Sequence, residues 1–219
     1  MKKKLFLYAA YFFLAVFTVK AQAPFVSEIQ QFKKTDSVNF PQKAAILFVG
    51  SSSFTKWTDI ADYFPGYPLI NRGFGGSALP EVIRYANDII FPYQPKHIII
   101  YCGENDLAED STVTGEIVFS RFTQLFNLIR KQLPIVPIVY ISMKPSPSRE
   151  PLWPKMTKGN LAIKNFISKQ THANFIDVWP FMFRADGTIN KDIFLSDQLH
   201  MNAKGYAIWQ KIITPFLLK

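Results

Sequence analysis

Short apolar runs alternating with helix-length amphipathic stretches constrain this chain more than any other feature. The runs occupy residues 45–49, 68–70, 98–102, 135–141 and 175–178. Their short lengths and their Ile and Val content fit strands buried on both faces of a parallel sheet. Between them, residues 114–133 place Val118, Phe122, Leu125, Phe126 and Ile129 at steps of three or four, the single apolar stripe of a packed helix. Residues 158–170 carry Leu161, Ala162, Phe166 and Ile167 on a comparable face, and residues 203–217 carry Tyr206, Ala207, Trp209, Ile212, Ile213 and Phe216. Such alternation predicts an α/β domain with right-handed crossovers and helices on both faces of a parallel sheet. A chain of 219 residues suits one domain of this kind, and 48% hydrophobic with 19% charged residues is a globular composition. Residues 143–154, with Lys144-Pro145-Ser146-Pro147-Ser148-Arg149 and Trp153-Pro154, break the pattern. They predict an irregular loop after the fourth strand, bordering any site, because open α/β sheets bind ligands at the carboxyl ends of their strands.

The N-terminus has a different character. Lys2, Lys3 and Lys4 precede an uncharged run over residues 5–19, which Lys20-Ala21-Gln22-Ala23 follows. A basic head, a short apolar stretch and small residues predict a secretory signal peptide over residues 1–21 and a mature domain over 22–219. Cutting after Ala21 is favoured over Ala23, which would leave Pro24 just past the scissile bond. The run is shorter than the ~20 residues that cross a bilayer, so no stable membrane insertion is expected after cleavage, and the protein is expected to be secreted or periplasmic. Removing the leader's four lysines lowers the formal charge from +9 to +5. With no basic stripe interleaved with aromatics, nucleic acid is not an expected partner. The one cysteine, Cys102, excludes an internal disulfide and reads as a small buried residue; three histidines without paired cysteines give no metal-site spacing.

Four polar segments fall at strand ends or before the last helix. Gly50-Ser51-Ser52-Ser53 follows the first run; a serine at a strand-to-helix turn exposes its hydroxyl near a helix N-terminus, although serine is also an ordinary helix cap. Asn71-Arg72-Gly73-Phe74-Gly75-Gly76 follows the second, where glycines either bring backbone N–H groups close to a ligand or simply turn the chain. Gly103-Glu104-Asn105-Asp106 follows the third; an asparagine amide can donate to a developing oxyanion or close an Asx turn. Asp197-Gln198-Leu199-His200 precedes the last helix. There Asp197 can either fix the tautomer of His200 as a general base or cap the helix. His97 and His172 lack such a setting and read as structural. Together the segments supply a nucleophile, a base, an orienting acid and N–H donors, the inventory that acyl transfer needs.

In these blocks and their order the sequence resembles the SGNH (GDSL-like) hydrolase family, and within it the bacterial relatives of the platelet-activating-factor acetylhydrolase α subunits. The resemblance covers nearly the whole mature chain. It implies a three-layer α/β/α fold with a flavodoxin-like five-stranded parallel sheet in the order 2-1-3-4-5. It also assigns roles: Ser52 as nucleophile, His200 and Asp197 as its triad partners, and Ser52, Gly76 and Asn105 as oxyanion donors. One position departs from the family pattern, because Ser51 stands where the family has aspartate.

The expected activity is serine-esterase hydrolysis through an acyl-enzyme, with no metal or organic cofactor. The expected substrate is a small-molecule or glycan ester, with short acyl groups on carbohydrate preferred. Lipid acyl hydrolysis (a lysophospholipase) and a non-catalytic ligand-binding protein on the same fold are the alternatives. Arg72, Lys144, Arg149 and Trp153 are the candidates for contact with the leaving alcohol. A flavodoxin-like cofactor binder is disfavoured, since no phosphate-cradling loop is present.

Overall fold

The computed structural model describes residues 23–218, so the leader expected over 1–21 lies outside the described residues. Strands β1 (Ile46–Gly50), β2 (Leu69–Gly73), β3 (His97–Tyr101), β4 (Ile138–Ile141) and β5 (Ala173–Ile176) form one parallel sheet in the order β2-β1-β3-β4-β5, as expected. Every residue of β1, β3 and β4 is buried, which is why their sequences are continuous apolar runs with no polar alternation.

The helices are α1 (Val26–Val38), α2 (Ser52–Thr55), α3 (Ile60–Tyr63), α4 (Leu79–Arg84), α5 (Ala86–Ile89), α6 (Glu104–Glu109), α7 (Gly115–Gln132), α8 (Trp153–Ile167) and α9 (Ala203–Ile213). They divide the sheet into two cores. On one face Leu47, Val49, Ile98, Ile100, Ile138 and Tyr140 pack against residues of α1, α4, α5, α7 and α8. On the other, Ile46, Phe48, Ile99, Tyr101, Val139 and Ile141 meet α2, α3 and α9 through an aromatic cluster. In that cluster Trp57 stacks on Tyr206 with ring centres 4.6 Å apart.

The predicted stripe of α7 is buried as expected, from Val118 to Ile129, and Thr114 caps the helix by accepting from the Ile117 N–H. At the α7–α8 crossing a side chain on Gly115 would meet the Gly159 nitrogen at 2.6 Å, so glycine there sets how closely the helices approach.

Four differences from the sequence pattern matter. Strand β2 runs on to Gly73, which puts Asn71 and Arg72 inside the strand and not in the loop after it. Residues 143–154 are ordered: a 3₁₀ turn at Pro147–Leu152 leads into α8, which Trp153 begins with Pro154 in its first turn. Helix α9 stops at Ile213 and becomes 3₁₀ at Thr214–Phe216, where Pro215 removes an N–H donor. Helix α1 had no visible stripe, because Ile29 and Asp36 are its only fully buried residues.

Candidate active site

The register of the sheet places the polar segments together. Gly50 pairs with Gly73 on one side and with Tyr101 on the other, so the chain leaves β1, β2 and β3 at one level. β1 lies between β2 and β3, where the strand order reverses, the point at which open sheets bind ligands. Gly50 makes this possible. Its φ is +143°, and a side chain there would fall 1.9 Å from the Tyr101 carbonyl oxygen, which instead accepts from the Ser51 N–H at 3.0 Å. The turn is held from the far side by Asn71, whose amide donates to the Phe54 carbonyl at 2.8 Å and accepts from the Gly73 N–H at 2.9 Å.

Ser51 occupies the N-cap position of α2 without a side-chain cap, and Ser52 is the first helical residue. The plain capping role therefore does not describe Ser52. Its Oγ lies 2.9 Å from His200 Nε2, while His200 Nδ1 lies 2.6 Å from Asp197 Oδ2. The neutral ring satisfies both contacts when Nδ1–H donates to Asp197 and Nε2 accepts from Ser52. Asp197 does not cap α9. Asn202 does, accepting from the Lys204 and Gly205 N–H groups. Asp197 Oδ1 instead accepts from the Leu199 and His200 N–H groups at 2.9 and 3.0 Å, fixing the loop that carries the ring. Partial burial pushes the Asp197 carboxyl up, but these hydrogen bonds outweigh it and hold it down at about 2.

Three N–H groups lie on the loops that leave β1, β2 and β3 at this level. Among the described residues the Ser52 and Gly76 N–H groups donate to no protein acceptor. The Asn105 amide donates one hydrogen to the Ser77 carbonyl at 3.2 Å and keeps the other, and among the described residues its Oδ1 accepts from no backbone N–H, so it closes no Asx turn. A side chain on Gly76 would stand 3.7 Å from Asn105 Nδ2, so the two donors border a common space. A hydroxyl on a carboxylate-held base beside convergent N–H donors is equipped for acyl transfer.

Two expected substrate contacts are corrected. Arg72 is turned into the core with its strand neighbour Val49. There Nη2 meets Asp36 at 2.5 Å, Nε donates to the Tyr93 hydroxyl at 2.7 Å, and the guanidinium lies over the Phe32 ring. Lys144 is 1% exposed and pairs with Glu104 at 3.1 Å. Neither reaches an alcohol in solvent.

Arg149 and Trp153 are half-buried on the segment between β4 and α8. That segment packs on α6, and its Ser148 N–H donates to the Gln198 carbonyl at 3.1 Å, so it bridges the loops of Asn105 and His200. Trp153 donates to the Ser146 carbonyl and packs on Trp179 and Phe183.

Cys102 is buried as expected, His97 opens β3 and is also buried, and His172 sits in the turn before β5. Among the described residues no cluster suited to a metal ion occurs, and no helix is long and apolar enough to cross a membrane. Asn71, Glu104 and Asp106, whose side chains bond to neighbouring elements beside the motif residues, were not singled out from sequence. The signal was their place beside the motif residues at buried strand ends, where a polar side chain needs a partner.

A family model described as GDSL-like Lipase/Acylhydrolase matches residues 44–208. Platelet-activating factor acetylhydrolase IB subunit alpha1 of Pongo abelii is 26% identical over 161 residues, 72% of this chain and 67% of that protein. A GDSL-like lipase of Bacteroides thetaiotaomicron superposes with a TM-score of 0.74 at 16% identity, over 87% of this chain and 97% of that one. An acetylxylan esterase of Geobacillus stearothermophilus, solved as a catalytic mutant, superposes at 0.63 and 13% identity over 80% and 94%. Motif order, sheet order and the family match over residues 44–208 agree: the chain belongs to the GDSL-like lipase/acylhydrolase family and is an ester hydrolase.

Proposed function

We propose that the chain is an exported serine esterase that removes short acyl groups from carbohydrate through an acyl-enzyme. The observation that carries the catalytic part is the 2.9 Å contact between Ser52 Oγ and a His200 ring whose other nitrogen is held by Asp197. In this reading His200 takes the Ser52 proton as the hydroxyl attacks the ester carbonyl, and Asp197 stabilises the imidazolium. The Ser52 and Gly76 N–H groups and the Asn105 amide receive the oxyanion. His200 returns the proton to the leaving alcohol, and water then resolves the acyl-enzyme. Ser51 enters the turn through its backbone, donating its N–H to Tyr101 and accepting from the Phe54 and Thr55 N–H groups, so the missing aspartate does not unseat the nucleophile.

The expected result is hydrolysis of 4-nitrophenyl acetate that Ser52→Ala abolishes, with a fluorophosphonate adduct on Ser52. An adduct on Ser51 or Ser53, or wild-type turnover by Ser52→Ala, would refute the assignment.

The carbohydrate reading is supported by Arg149 and Trp153 on the bordering segment, and the fold is one that an acetylxylan esterase uses. Acetate release from acetylated xylan supports it; release of fatty acid from lysophosphatidylcholine with none from xylan favours the lipid alternative. Export is supported by the basic head and short apolar run of residues 1–21. N-terminal sequencing of the exported protein is expected to start at Gln22, and Met1 there would refute cleavage.

A further inference from the structure

We propose that Glu104 and Lys144 form a buried positioning pair that aims the Asn105 amide at the oxyanion; the proposal rests on the esterase reading above. Tyr101 ends β3, Glu104 opens α6, and Lys144 lies three residues beyond the end of β4. Glu104 is 4% exposed and Lys144 1%, far from the solvent such side chains normally occupy. Glu104 Oε2 accepts from the Tyr101 hydroxyl at 2.5 Å and from Lys144 Nζ at 3.1 Å. Its other oxygen has no partner among the described residues, so the carboxylate depends on that phenol and that ammonium.

Asn105 is fixed on both sides by buried acids. Behind it Glu104 is tied to Tyr101 and Lys144. Ahead of it Asp106, also buried, accepts from the Leu79 N–H at 2.9 Å and from Arg121 at 2.8 Å. Asn105 projects between these anchors toward Gly76 and Ser77. A short helix turn after a glycine at φ +124° has little rigidity of its own, and the two anchors supply it. Lys144 also leads into the segment bonded to Gln198, so the pair ties the oxyanion loop to the element that abuts the His200 loop. Neither side chain touches substrate. Both act through Asn105, where a displacement of about 1 Å costs on the order of 10²-fold in rate.

The test is a double-mutant cycle on the full-length mature protein, with active sites counted by fluorophosphonate burst and 4-nitrophenyl acetate as substrate. Asn105→Ala is expected to lower kcat roughly 10²–10³-fold. Glu104→Gln keeps the side-chain volume and is expected to lower kcat about ten- to hundredfold with KM within about twofold. In the Asn105→Ala background, Glu104→Gln is expected to add less than about a threefold loss, because there is no amide left to aim.

If Glu104→Gln gives too little folded protein, the cycle is run with Glu104→Gln/Lys144→Met, which removes both charges together. Wild-type kcat per active site in the Glu104 variant, or losses that multiply in full, would show a merely structural pair and overturn the proposal. Wild-type kcat in Asn105→Ala would instead remove the oxyanion assignment, and the proposal with it.

Discussion

Asp197 puts each of its carboxylate oxygens to a different use, and substitution can separate them. Oδ1 holds the loop through the Leu199 and His200 N–H groups, and Oδ2 takes the ring. Asp197→Asn can keep the first function, since an amide oxygen accepts the same backbone bonds. Its NH₂ then faces His200 Nδ1, which favours the tautomer with hydrogen on Nε2, unable to take the Ser52 proton. The corresponding substitution in serine proteases costs about 10⁴-fold. A kcat loss of roughly 10³–10⁴-fold with the native fold retained is expected here; wild-type turnover would show that His200 works without this partner. The depressed acid also has a stability signature. Its folded value of about 2 lies below the ordinary 3.8, so its contribution is full above 3.8 and disappears as pH falls through 2. Denaturation of wild type and Asp197→Asn should therefore converge between pH 4 and 2. The five residues assigned to the site were legible because each sits in a short polar or glycine motif at a strand end or before the last helix. Arg72 and Lys144 were misread because the partners that bury them, Asp36 and Glu104, stand 36 and 40 positions away in sequence.

At the scale of elements, the sequence announced what was buried all round or striped, and hid what was short. β1, β3, β4 and α7 were legible for that reason. The short helices α3, α4 and α5 span only four to six residues each, too few for periodicity to show. β2 was cut short because Asn71 and Arg72 look like loop residues. Arg72 is tolerated in the strand only because α1 brings Asp36 to it. β3 carries a comparable misfit at its first residue. His97 is 1% exposed with Nδ1 unpartnered, and burial, helped by the neighbouring Lys96 charge, pushes its pKa down to about 4. The folded chain therefore resists protonation that the unfolded chain accepts below about 6.5. His97 costs nothing above 6.5 and destabilises progressively as pH falls toward 4. His97→Leu removes the titrating group from an apolar strand. Chemical denaturation should find the variant gaining on wild type as pH drops from 7 to 4; a difference independent of pH would show that His97 is not protonated on unfolding.

At the scale of the whole molecule, two sizeable concavities lie away from the nucleophile. A cavity of about 360 Å³ lies between α8 and β5, lined by Asn160, Leu161, Phe175 and Trp179. Another of about 420 Å³ is lined by Phe181, Ile208, Ile212 and Pro215. Ser52, Gly76, Asn105 and His200 line neither. The His200 side chain is only 16% exposed, so the base is sheltered from solvent. The short-acyl reading dictates how rate should depend on the acyl chain. A tunnel that took up the chain would gain about 0.8 kcal/mol for each methylene buried, or about a fourfold rise in kcat/KM per carbon. A site that takes up no acyl chain leaves added methylenes in water. They contribute no binding energy there, and they crowd the approach between Gly76 and Asn105. For 4-nitrophenyl esters from acetate to hexanoate, kcat/KM is therefore expected to be highest at acetate and to stay level or fall with each added carbon. A steady fourfold climb per methylene would mean that an apolar groove forms when substrate binds. It would move the chain from short-acyl esters to lipids, whatever the roles of Ser52 and His200.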